Sequence, residues 1–361
     1  MLPYIPYTSF IDAKEEISTP VTTNVAEGYR YTLPPTAKKI NDRLTLISPA
    51  GKLETKPKSV HKTAMEESAK HKDGGYLANA KTVACFAALS YRFTGGRFHD
   101  TEMTFRLRFP DRLEPGKKYP LIVHFHGTGE STNGNTRQLA HLQYAAEALS
   151  GPDSVNCFIL ATHCTVDNKS WETSLNQTGI GDAPLTYTKE IIDAVMSQYP
   201  IDTERVTAFG ICSGANAAWS MMTKYPDLFC AIATATIDLD IYHIQAIKKP
   251  YPSIWFFNNT DDPSTPLEPV ERSVQALKKF GVNIHLTVRK GGHDSWSQAL
   301  RSSHAYQWLA MQTKNECYPP PGTVVGLRRT AVQTLYEIFL PILVIILSIA
   351  KRRTQKTTIS K

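Results

Sequence analysis

The sequence contains few cysteines for its length, six in 361 residues, and none of them forms a Cys-x-x-Cys pair. Zinc ribbons and thioredoxin-like redox proteins depend on such pairs, so both classes are excluded. A small domain cross-linked by disulfides uses cysteine at a much higher density, so this kind of scaffold is excluded as well. The chain must therefore fold around an apolar core, for which its 42% hydrophobic content is sufficient.

The chain also lacks basic charge spread along its length, although its net charge is +7. Residues 322–361 hold seven basic side chains and one acidic side chain, which accounts for six of the seven positive charges. The rest of the chain is close to neutral. Because a nucleic-acid-binding domain needs a basic patch, no nucleic-acid partner is expected.

The N-terminal part of the chain lacks the regular alternation found in its middle. Residues 1–80 contain proline-rich and lysine-rich stretches with few aromatics, which predicts a poorly ordered extension. The first residues do not combine a basic segment with an apolar one, so no signal peptide is expected. Residues 316–337, with three consecutive prolines, are a predicted linker. Residues 81–315 remain as the predicted folded domain.

A largely apolar run lies near the C-terminus, at residues 338–350. These 13 residues correspond to about 20 Å of helix, whereas a hydrocarbon core is about 30 Å thick. The 21 residues between Arg329 and Lys351 would span about 31 Å. Residues 338–361, including the basic tail, are therefore predicted to form a single-pass membrane anchor.

Two alternatives to an anchor remain, a helix that docks on the domain and a segment that lies on the membrane surface. The side of the membrane is also open. The basic residues Lys351, Arg352 and Arg353 favour the cytoplasm, which would place the domain outside, yet no signal peptide is expected to export it.

Apolar strand patterns alternate with helical patterns between residues 81 and 315. The strand candidates are Thr82–Tyr91, Met103–Phe109, Pro120–His126, Cys157–His163, Val206–Gly210, Ala231–Thr236, Ser253–Asn258 and Asn283–Arg289. The later ones are almost entirely apolar, as strands covered on both faces are. The alternation predicts an α/β fold with a mostly parallel sheet of about eight strands and helices on both faces, in which the first two strands are antiparallel.

The first chemical motif is Gly-x-Cys-x-Gly, formed by Gly210, Cys212 and Gly214 between an apolar strand and a small-residue helix. This is the nucleophile-elbow pattern of α/β-hydrolases with cysteine in the central place. A motif centred on Ser213 would need glycines where the chain has isoleucine and alanine, so Ser213 is expected to offer its backbone N–H to an oxyanion. The start of a helix here would also favour the thiolate. The alternative is a buried structural cysteine beside a tight turn.

The second motif is a strand that ends in His126-Gly127-Thr128-Gly. Glycines allow backbone N–H groups to face a developing negative charge, so Gly127 or Thr128 is predicted to complete the oxyanion hole. The alternative is a turn that only ends the strand. His124 and His126 are spaced as metal ligands on a strand can be, but no acidic residue or histidine accompanies them at ligand spacing. Neither a metal nor another cofactor is therefore predicted.

Two later strands end in a carboxylate and in a histidine. Asp261 and Asp262 follow one strand, and His293 follows the next between glycines and an aspartate. Taken singly, Asp before Pro is a common turn and a histidine in a loop is more often inert. Nucleophile, acid and histidine nevertheless occur in the chain order of α/β-hydrolases, with the oxyanion loop upstream. This order predicts an α/β-hydrolase fold with a Cys212–His293–Asp262 triad.

Residues 103–300 resemble the esterase group related to polyhydroxybutyrate depolymerases and feruloyl esterases, including bacterial predicted peptidases of that type. The resemblance rests on Gly-Lys-Lys-Tyr-Pro-Leu-Ile-Val before His126, on Ile-Leu-Ala-Thr-His-Cys, on Ile-Asp-Thr-Glu-Arg-Val before the elbow, on Thr-Asp-Asp-Pro and on Gly-His-Asp-Ser-Trp. It implies that the acid is Asp262 rather than Asp261, and that the histidine is His293. The group usually has serine where this chain has Cys212, but dienelactone hydrolases, which are similar folds, use Gly-x-Cys-x-Gly.

These features together predict a hydrolase of carboxylic esters or thioesters that works through a covalent acyl-enzyme. Its partner would be a small-molecule or oligomeric ester substrate, with the membrane as a second partner of the C-terminal segment. One alternative is a non-catalytic, membrane-tethered binding protein on a hydrolase scaffold, and another is a peptidase. The retained acid and histidine favour the enzyme, because a decayed site tends to lose them.

Overall fold

The structure is a computed structural model of the chain. It describes residues 22–24, 30–32, 38–39, 44–48, 78–93, 99–100, 102–111, 113–131, 135–142, 156–164, 171, 183–239, 244, 247–301 and 303–321. The chain divides into two units, Met1–Pro321 and Gly322–Lys361. The second unit, which holds the predicted membrane anchor and most of the predicted linker, lies outside the described residues. In the ranges given above, no helix is long and apolar enough to cross a bilayer.

The described residues form twelve strands. They are β1 (Thr22–Asn24), β2 (Arg30–Thr32), β3 (Lys38–Lys39), β4 (Leu44–Ser48), β5 (Ala87–Arg92), β6 (Glu102–Arg108), β7 (Tyr119–Phe125), β8 (Phe158–Ala161), β9 (Ile201–Ile211), β10 (Ala231–Ala235), β11 (Ser253–Asn259) and β12 (Ile284–Arg289). Strands β1 and β2 pair with each other. The other ten form one sheet in the order β12-β11-β10-β9-β7-β8-β6-β5-β4-β3.

Neighbouring strands from β12 to β8 are parallel, and those from β8 to β3 are antiparallel. The predicted sheet with an antiparallel start is therefore confirmed, and its eight strands correspond to β5–β12. Strands β3 and β4, which lie within the predicted N-terminal extension, lengthen the sheet at the β5 edge. Strands β7, β10 and β11 are buried along their whole length, as their apolar sequences predict.

Helices cover both faces of the sheet, as predicted. They are α1 (Ala80–Ala84), α2 (Ala183–Gln198), α3 (Ser213–Lys224), α4 (Leu267–Lys279), α5 (Trp296–Arg301) and α6 (Ala305–Met311). Because successive side chains of a strand point to opposite faces, the sheet contributes to two separate cores. Leu121 and Val123 of β7 pack into the core shared with α2, α3 and α4, whereas Ile122 packs into the core shared with α1, α5 and α6.

Two local predictions from the sequence are wrong. The strand predicted from Thr82 begins only at Ala87, because the Asn79 side chain caps helix α1 by accepting the Thr82 N–H at 2.8 Å. The second prediction is that Ser295 or Asp294 caps a single helix containing Trp296 and Trp308, as the polar residues before Trp296 in the sequence suggest. The structure has two, α5 and α6, and His304 between them adopts a left-handed conformation with φ of 54°.

The turn from β9 into α3 allows very little space. A Cβ atom on Gly214 would overlap the carbonyl oxygens of Phe125 and His126 at the end of β7, and one on Gly210 would lie 2.7 Å from the Ala215 Cα atom. Both glycines of the Gly-x-Cys-x-Gly motif are thus required by close backbone approach. The same approach brings the end of β7 beside the residue at the centre of the motif.

We expect Gly214→Ala to lower the free energy of unfolding by about 3 kcal/mol, because the added methyl group overlaps backbone that cannot move without shifting a central strand. Urea denaturation measures this loss. Gly129→Ala is the matched control, since a Cβ at Gly129 meets no atom within 4 Å, and we expect a change within about 0.5 kcal/mol. Equal stabilities of the two variants would contradict the steric role of Gly214.

Candidate active site

Cys212 lies at the point where β9 ends and α3 begins. Its backbone has φ of 53° and ψ of −122°, a strained conformation for a residue other than glycine that costs about 1–3 kcal/mol. Two backbone hydrogen bonds hold it: its N–H donates to the Ala235 carbonyl at 2.9 Å, and its carbonyl accepts the Ala215 N–H at 2.8 Å. The thiol is half-buried, so the sharp turn presents it at the carboxyl edge of the sheet.

The structure brings the three predicted triad residues together. The Sγ atom of Cys212 lies 3.3 Å from the Nε2 atom of His293. The other ring nitrogen of His293, Nδ1, lies 2.8 Å from Oδ2 and 3.0 Å from Oδ1 of Asp262. Because an ionised carboxylate only accepts hydrogen bonds, Nδ1 carries the proton, and Nε2 presents its lone pair to the thiol.

Asp262 is held in an ionised state inside the protein. Its side chain is 0% exposed. Oδ1 accepts the N–H groups of Ser264 at 2.8 Å and Thr265 at 3.2 Å, and Oδ2 accepts the Thr265 hydroxyl at 2.7 Å. Burial raises the pKa of the Asp262 carboxyl, but the hydrogen bonds from Thr265, Ser264 and His293 outweigh burial and hold this pKa below its ordinary value.

Asp261, the neighbouring acid, has a different set of contacts. Its Oδ1 atom accepts the backbone N–H groups of Gly291 at 2.9 Å and Gly292 at 3.1 Å. These bonds lower the pKa of the Asp261 carboxyl. The side chain of Asn259 donates to the Gly292 carbonyl at 3.0 Å. Asp261 and Asn259 therefore fasten the loop that carries His293, while Asp262 contacts the imidazole itself.

The C-terminal side of the histidine loop is also fixed. The Ser295 hydroxyl donates to the Phe257 carbonyl at 2.7 Å, and Asp294 accepts the Ser297 N–H at 2.9 Å at the start of α5. The Trp296 ring meets the imidazole of His293 edge-on, with 5.7 Å between ring centroids. The His293 side chain remains 34% exposed, so it is positioned firmly and is still reachable from solvent.

We expect Asp262→Asn to lower the rate of ester hydrolysis by about 10⁴-fold, because an amide can donate to Nδ1 and so favour the tautomer with its proton on Nε2. Asp261→Asn retains the oxygen that accepts the two glycine N–H groups, so it should change kcat by less than about tenfold. Initial rates with a p-nitrophenyl ester measure both. Greater sensitivity at Asp261 would show that the acid has been misassigned.

The loop after β7 lies against the elbow. A Cβ atom on Gly127 would be 3.4 Å from the Cys212 Cβ atom, and the Thr128 hydroxyl donates to the Ser213 hydroxyl at 3.0 Å. Ser213 is the first residue of α3, where a backbone N–H has no acceptor within the helix. The three residues predicted for the oxyanion hole, Ser213, Gly127 and Thr128, therefore all lie next to the thiol.

The two predicted loop donors differ in the structure. The Gly127 N–H donates to the Oε2 atom of Glu130 at 2.7 Å, so it is directed at this carboxylate and not at the thiol. The reason is local, because Gly127 is the cap of a short 3-10 turn, Thr128–Glu130, and Glu130 folds back onto the cap. This contact argues against Gly127, one of the two predicted loop donors.

Several residues around the site have no role assigned from the sequence. Glu130 could have been found, because Gly127-x-x-Glu130 has the spacing of a capping box. Thr265, which binds Asp262, lies within three residues of it and fits an Asx-type turn. Trp296 contacts His293, and His141 contacts Glu130. No pattern in the sequence identifies these last two contacts.

The histidines of β7 and its following loop have partners within the protein. His124 Nδ1 lies 2.8 Å from the Tyr306 hydroxyl. His126 Nδ1 lies 2.7 Å from the Gly127 carbonyl, and its Nε2 accepts the Cys164 N–H at 3.0 Å. Burial lowers the pKa of both imidazoles. Over the part of the chain that is described, no group of three His, Cys, Asp or Glu side chains is arranged to hold a metal ion.

Comparison with known proteins identifies similar enzymes. Residues 97–255 match the family model described as "Putative esterase". A thermostable esterase of known structure is 27% identical, with a TM-score of 0.56, and the match covers 64% of each chain. An acylaminoacyl peptidase of Pyrococcus horikoshii is 15% identical, with a TM-score of 0.48 over 65% of this chain and 42% of that one. No curated protein matches the chain.

A dienelactone hydrolase from Anabaena variabilis is 14% identical, with a TM-score of 0.46 over 63% of this chain and 98% of that one. The chain spans 64% of the length of the thermostable esterase, so the match is partial. The α/β-hydrolase fold and the resemblance to its esterase group, both predicted from the sequence, are confirmed by the family model and the thermostable esterase.

Proposed function

We propose that this α/β-hydrolase cleaves carboxylic esters or thioesters through a covalent acyl-enzyme on Cys212. The observation that carries the proposal is the position of His293. Its Nε2 atom lies 3.3 Å from Sγ of Cys212, while its Nδ1 atom is bound by the buried carboxylate of Asp262. A base with this orientation can accept the thiol proton.

In the first half of the reaction, Sγ of Cys212 attacks the carbonyl carbon of the substrate, and Nε2 of His293 takes the thiol proton. The carbonyl π electrons move to oxygen and form a tetrahedral oxyanion. When the oxyanion collapses, the bond to the leaving group breaks, and the imidazolium gives its proton to the departing alcohol or thiol. Asp262 stabilises the imidazolium without itself becoming protonated.

In the second half, water replaces the leaving group. His293 removes a proton from water as the water oxygen attacks the acyl carbon. A second tetrahedral oxyanion then expels the Cys212 sulfur, which recovers its proton from the imidazolium. The products are a carboxylic acid and the original thiol, so the cycle needs no cofactor.

The backbone N–H groups of Ser213 and Thr128 are the proposed donors to both oxyanions. Ser213 offers the first N–H of α3, where the helix dipole adds positive potential. Thr128 lies across from it and is joined to Ser213 through their hydroxyls at 3.0 Å. Donors held in place before the reaction stabilise the transition state without reorganisation.

A cysteine nucleophile influences which substrates turn over. Thiolate is a better leaving group than alkoxide, so the tetrahedral adduct of a plain alkyl ester tends to return to the starting ester. In the adduct of a thioester or an activated ester, the substrate's leaving group departs about as readily as the Cys212 thiolate, so the adduct can go forward to the acyl-enzyme. Thioesters and activated esters are therefore the proposed substrates, ahead of alkyl esters.

We expect iodoacetamide to label Cys212 fastest at neutral pH, and His293→Ala to remove this advantage, because the imidazole and the start of α3 both stabilise the thiolate. Burial raises the pKa of Cys157 to about 12 and that of Cys230 to about 12, so both should label slowly. Cys317 is exposed and supplies the labelling rate of a solvent-accessible thiol for comparison. Peptide mapping after timed labelling gives the separate rates.

The same set of variants tests turnover. Cys212→Ala should abolish hydrolysis. Cys212→Ser introduces the serine that is usual at this position in the esterase group that the chain resembles. Activity from the serine variant alone, with none from native protein on thioesters and activated esters, would support a scaffold that has lost catalysis. If Cys212 labels no faster than Cys317 and no hydrolysis depends on it, the proposed enzyme function is wrong.

We also propose that residues 338–361 anchor the protein to a membrane, on the basis of their apolar run and basic tail. The full-length protein should then remain with membranes after carbonate extraction, because a spanning helix resists high pH whereas surface attachment does not. A variant ending at Pro321 is the matched control and should be released. Complete release of the full-length protein would contradict the anchor.

A further inference from the structure

A buried carboxylate lies beneath the loop that carries the proposed oxyanion donor. The side chains of Glu130 and His141 are each 5% exposed, and Oε1 of Glu130 lies 3.3 Å from Nε2 of His141. Oε2 accepts the Gly127 N–H at 2.7 Å. Burial raises the pKa of the Glu130 carboxyl, but His141, with contributions from His126 and the Gly127 N–H, outweighs burial and lowers this pKa below its ordinary value. Glu130 is therefore an ionised acceptor.

The peptide group between His126 and Gly127 is held at both ends. Its N–H donates to Glu130, as described above, and its carbonyl oxygen accepts the indole N–H of Trp171 at 2.9 Å. A peptide group bound through both its N–H and its C=O cannot rotate without breaking a buried hydrogen bond. Gly127 therefore enters the loop in one fixed orientation.

The next peptide group, between Gly127 and Thr128, is held through its carbonyl oxygen. This oxygen lies 2.7 Å from Nδ1 of His126 and accepts the backbone N–H of Glu130 at 3.2 Å. Since a carbonyl only accepts, and since Nε2 of His126 accepts the Cys164 N–H at 3.0 Å, the proton of His126 is on Nδ1.

Because a peptide group is planar, holding the Gly127 carbonyl also fixes the N–H of Thr128, the proposed donor. In a trans peptide the N–H points opposite to the C=O of the same group. With the Gly127 carbonyl held by His126 and by the backbone of Glu130, the direction of the Thr128 N–H is set. Glu130 thus contacts both peptide groups around Gly127, one through its carboxylate and one through its own N–H.

We propose that Glu130 is a positioning residue for acyl transfer, whose carboxylate holds the Gly127 N–H and so keeps the Thr128 N–H aimed at the oxyanion. The inference rests on the proposed function. Glu130 does not touch the substrate and acts through Thr128. His141 supports it by orienting the carboxylate from the other side.

The surroundings of His141 determine which control is needed. Its ring packs on Trp296 with 5.1 Å between centroids, and Trp296 contacts His293. An effect of a Glu130 variant on His293 must therefore be distinguished from an effect on the loop after β7. Alkylation of Cys212 by iodoacetamide separates the two effects, because displacement of iodide at carbon forms no oxyanion but still depends on the His293-stabilised thiolate.

We expect Glu130→Ala to lower kcat with p-nitrophenyl acetate by about tenfold to a hundredfold, below the loss for removing an oxyanion donor outright. KM and the alkylation rate of Cys212 should remain within about twofold of native. Glu130→Gln retains an oxygen that can accept the Gly127 N–H, so it should recover most of the lost kcat. Glu268→Ala is the matched control, since Glu268 is 81% exposed on α4, and it should leave all three quantities unchanged.

If Glu130→Ala does not fold, Glu130→Asp takes its place, because it keeps the charge but is one methylene too short to reach the Gly127 N–H. Unchanged kcat in the folded variants, with active native protein, would overturn the inference and leave the proposed function intact. Alkylation slowed in parallel with kcat would also overturn it, since His293 would then be the affected group. Native protein with no turnover would overturn the proposed function and the inference with it.

Discussion

The close approach of α3 to the end of β7 is the constraint on which the rest of the site depends. Gly210 and Gly214 allow two backbones to meet where any side chain would overlap. This contact forces the chain to turn within one residue, and Cys212 adopts a strained conformation at that residue. Such strain persists only where its surroundings over-determine it, and here neighbouring backbone groups bond both the N–H and the carbonyl of Cys212.

The same contact brings the two halves of the proposed oxyanion hole together. One half is the first turn of α3 and the other is the loop after β7. The hydrogen bond between the Thr128 and Ser213 hydroxyls joins these halves, although the two residues are 85 positions apart in the chain. Because the sheet is parallel at this point, the carboxyl ends of β7, β9 and β11 lie along one edge. The proposed nucleophile, oxyanion donors and acid therefore converge from loops that all leave the sheet at that edge.

The two acids after β11 position His293 through different contacts. Asp262 is buried and bonded to the imidazole, so it sets the tautomer. Asp261 is on the surface and bonds the backbone of the glycine-rich loop, so it sets where the loop lies. A histidine that follows two glycines would otherwise have considerable freedom, and Asp262 and Asp261 remove it by bonding the side chain and the loop backbone separately. Neither contact involves Cys212.

The order of strands and motifs along the chain and the class of fold could be predicted from the sequence, because local residue patterns carry them. Apolar runs define buried strands, and the spacing of Gly210, Cys212 and Gly214 defines a turn that needs no distant information. Only the packing of separate segments brings the indole of Trp171 to the His126 carbonyl and joins the loop after β7 to His293 through His141 and Trp296. Peptide orientation and aromatic contacts depend on how separate segments pack, and this packing has no signature in the spacing of residues along the chain.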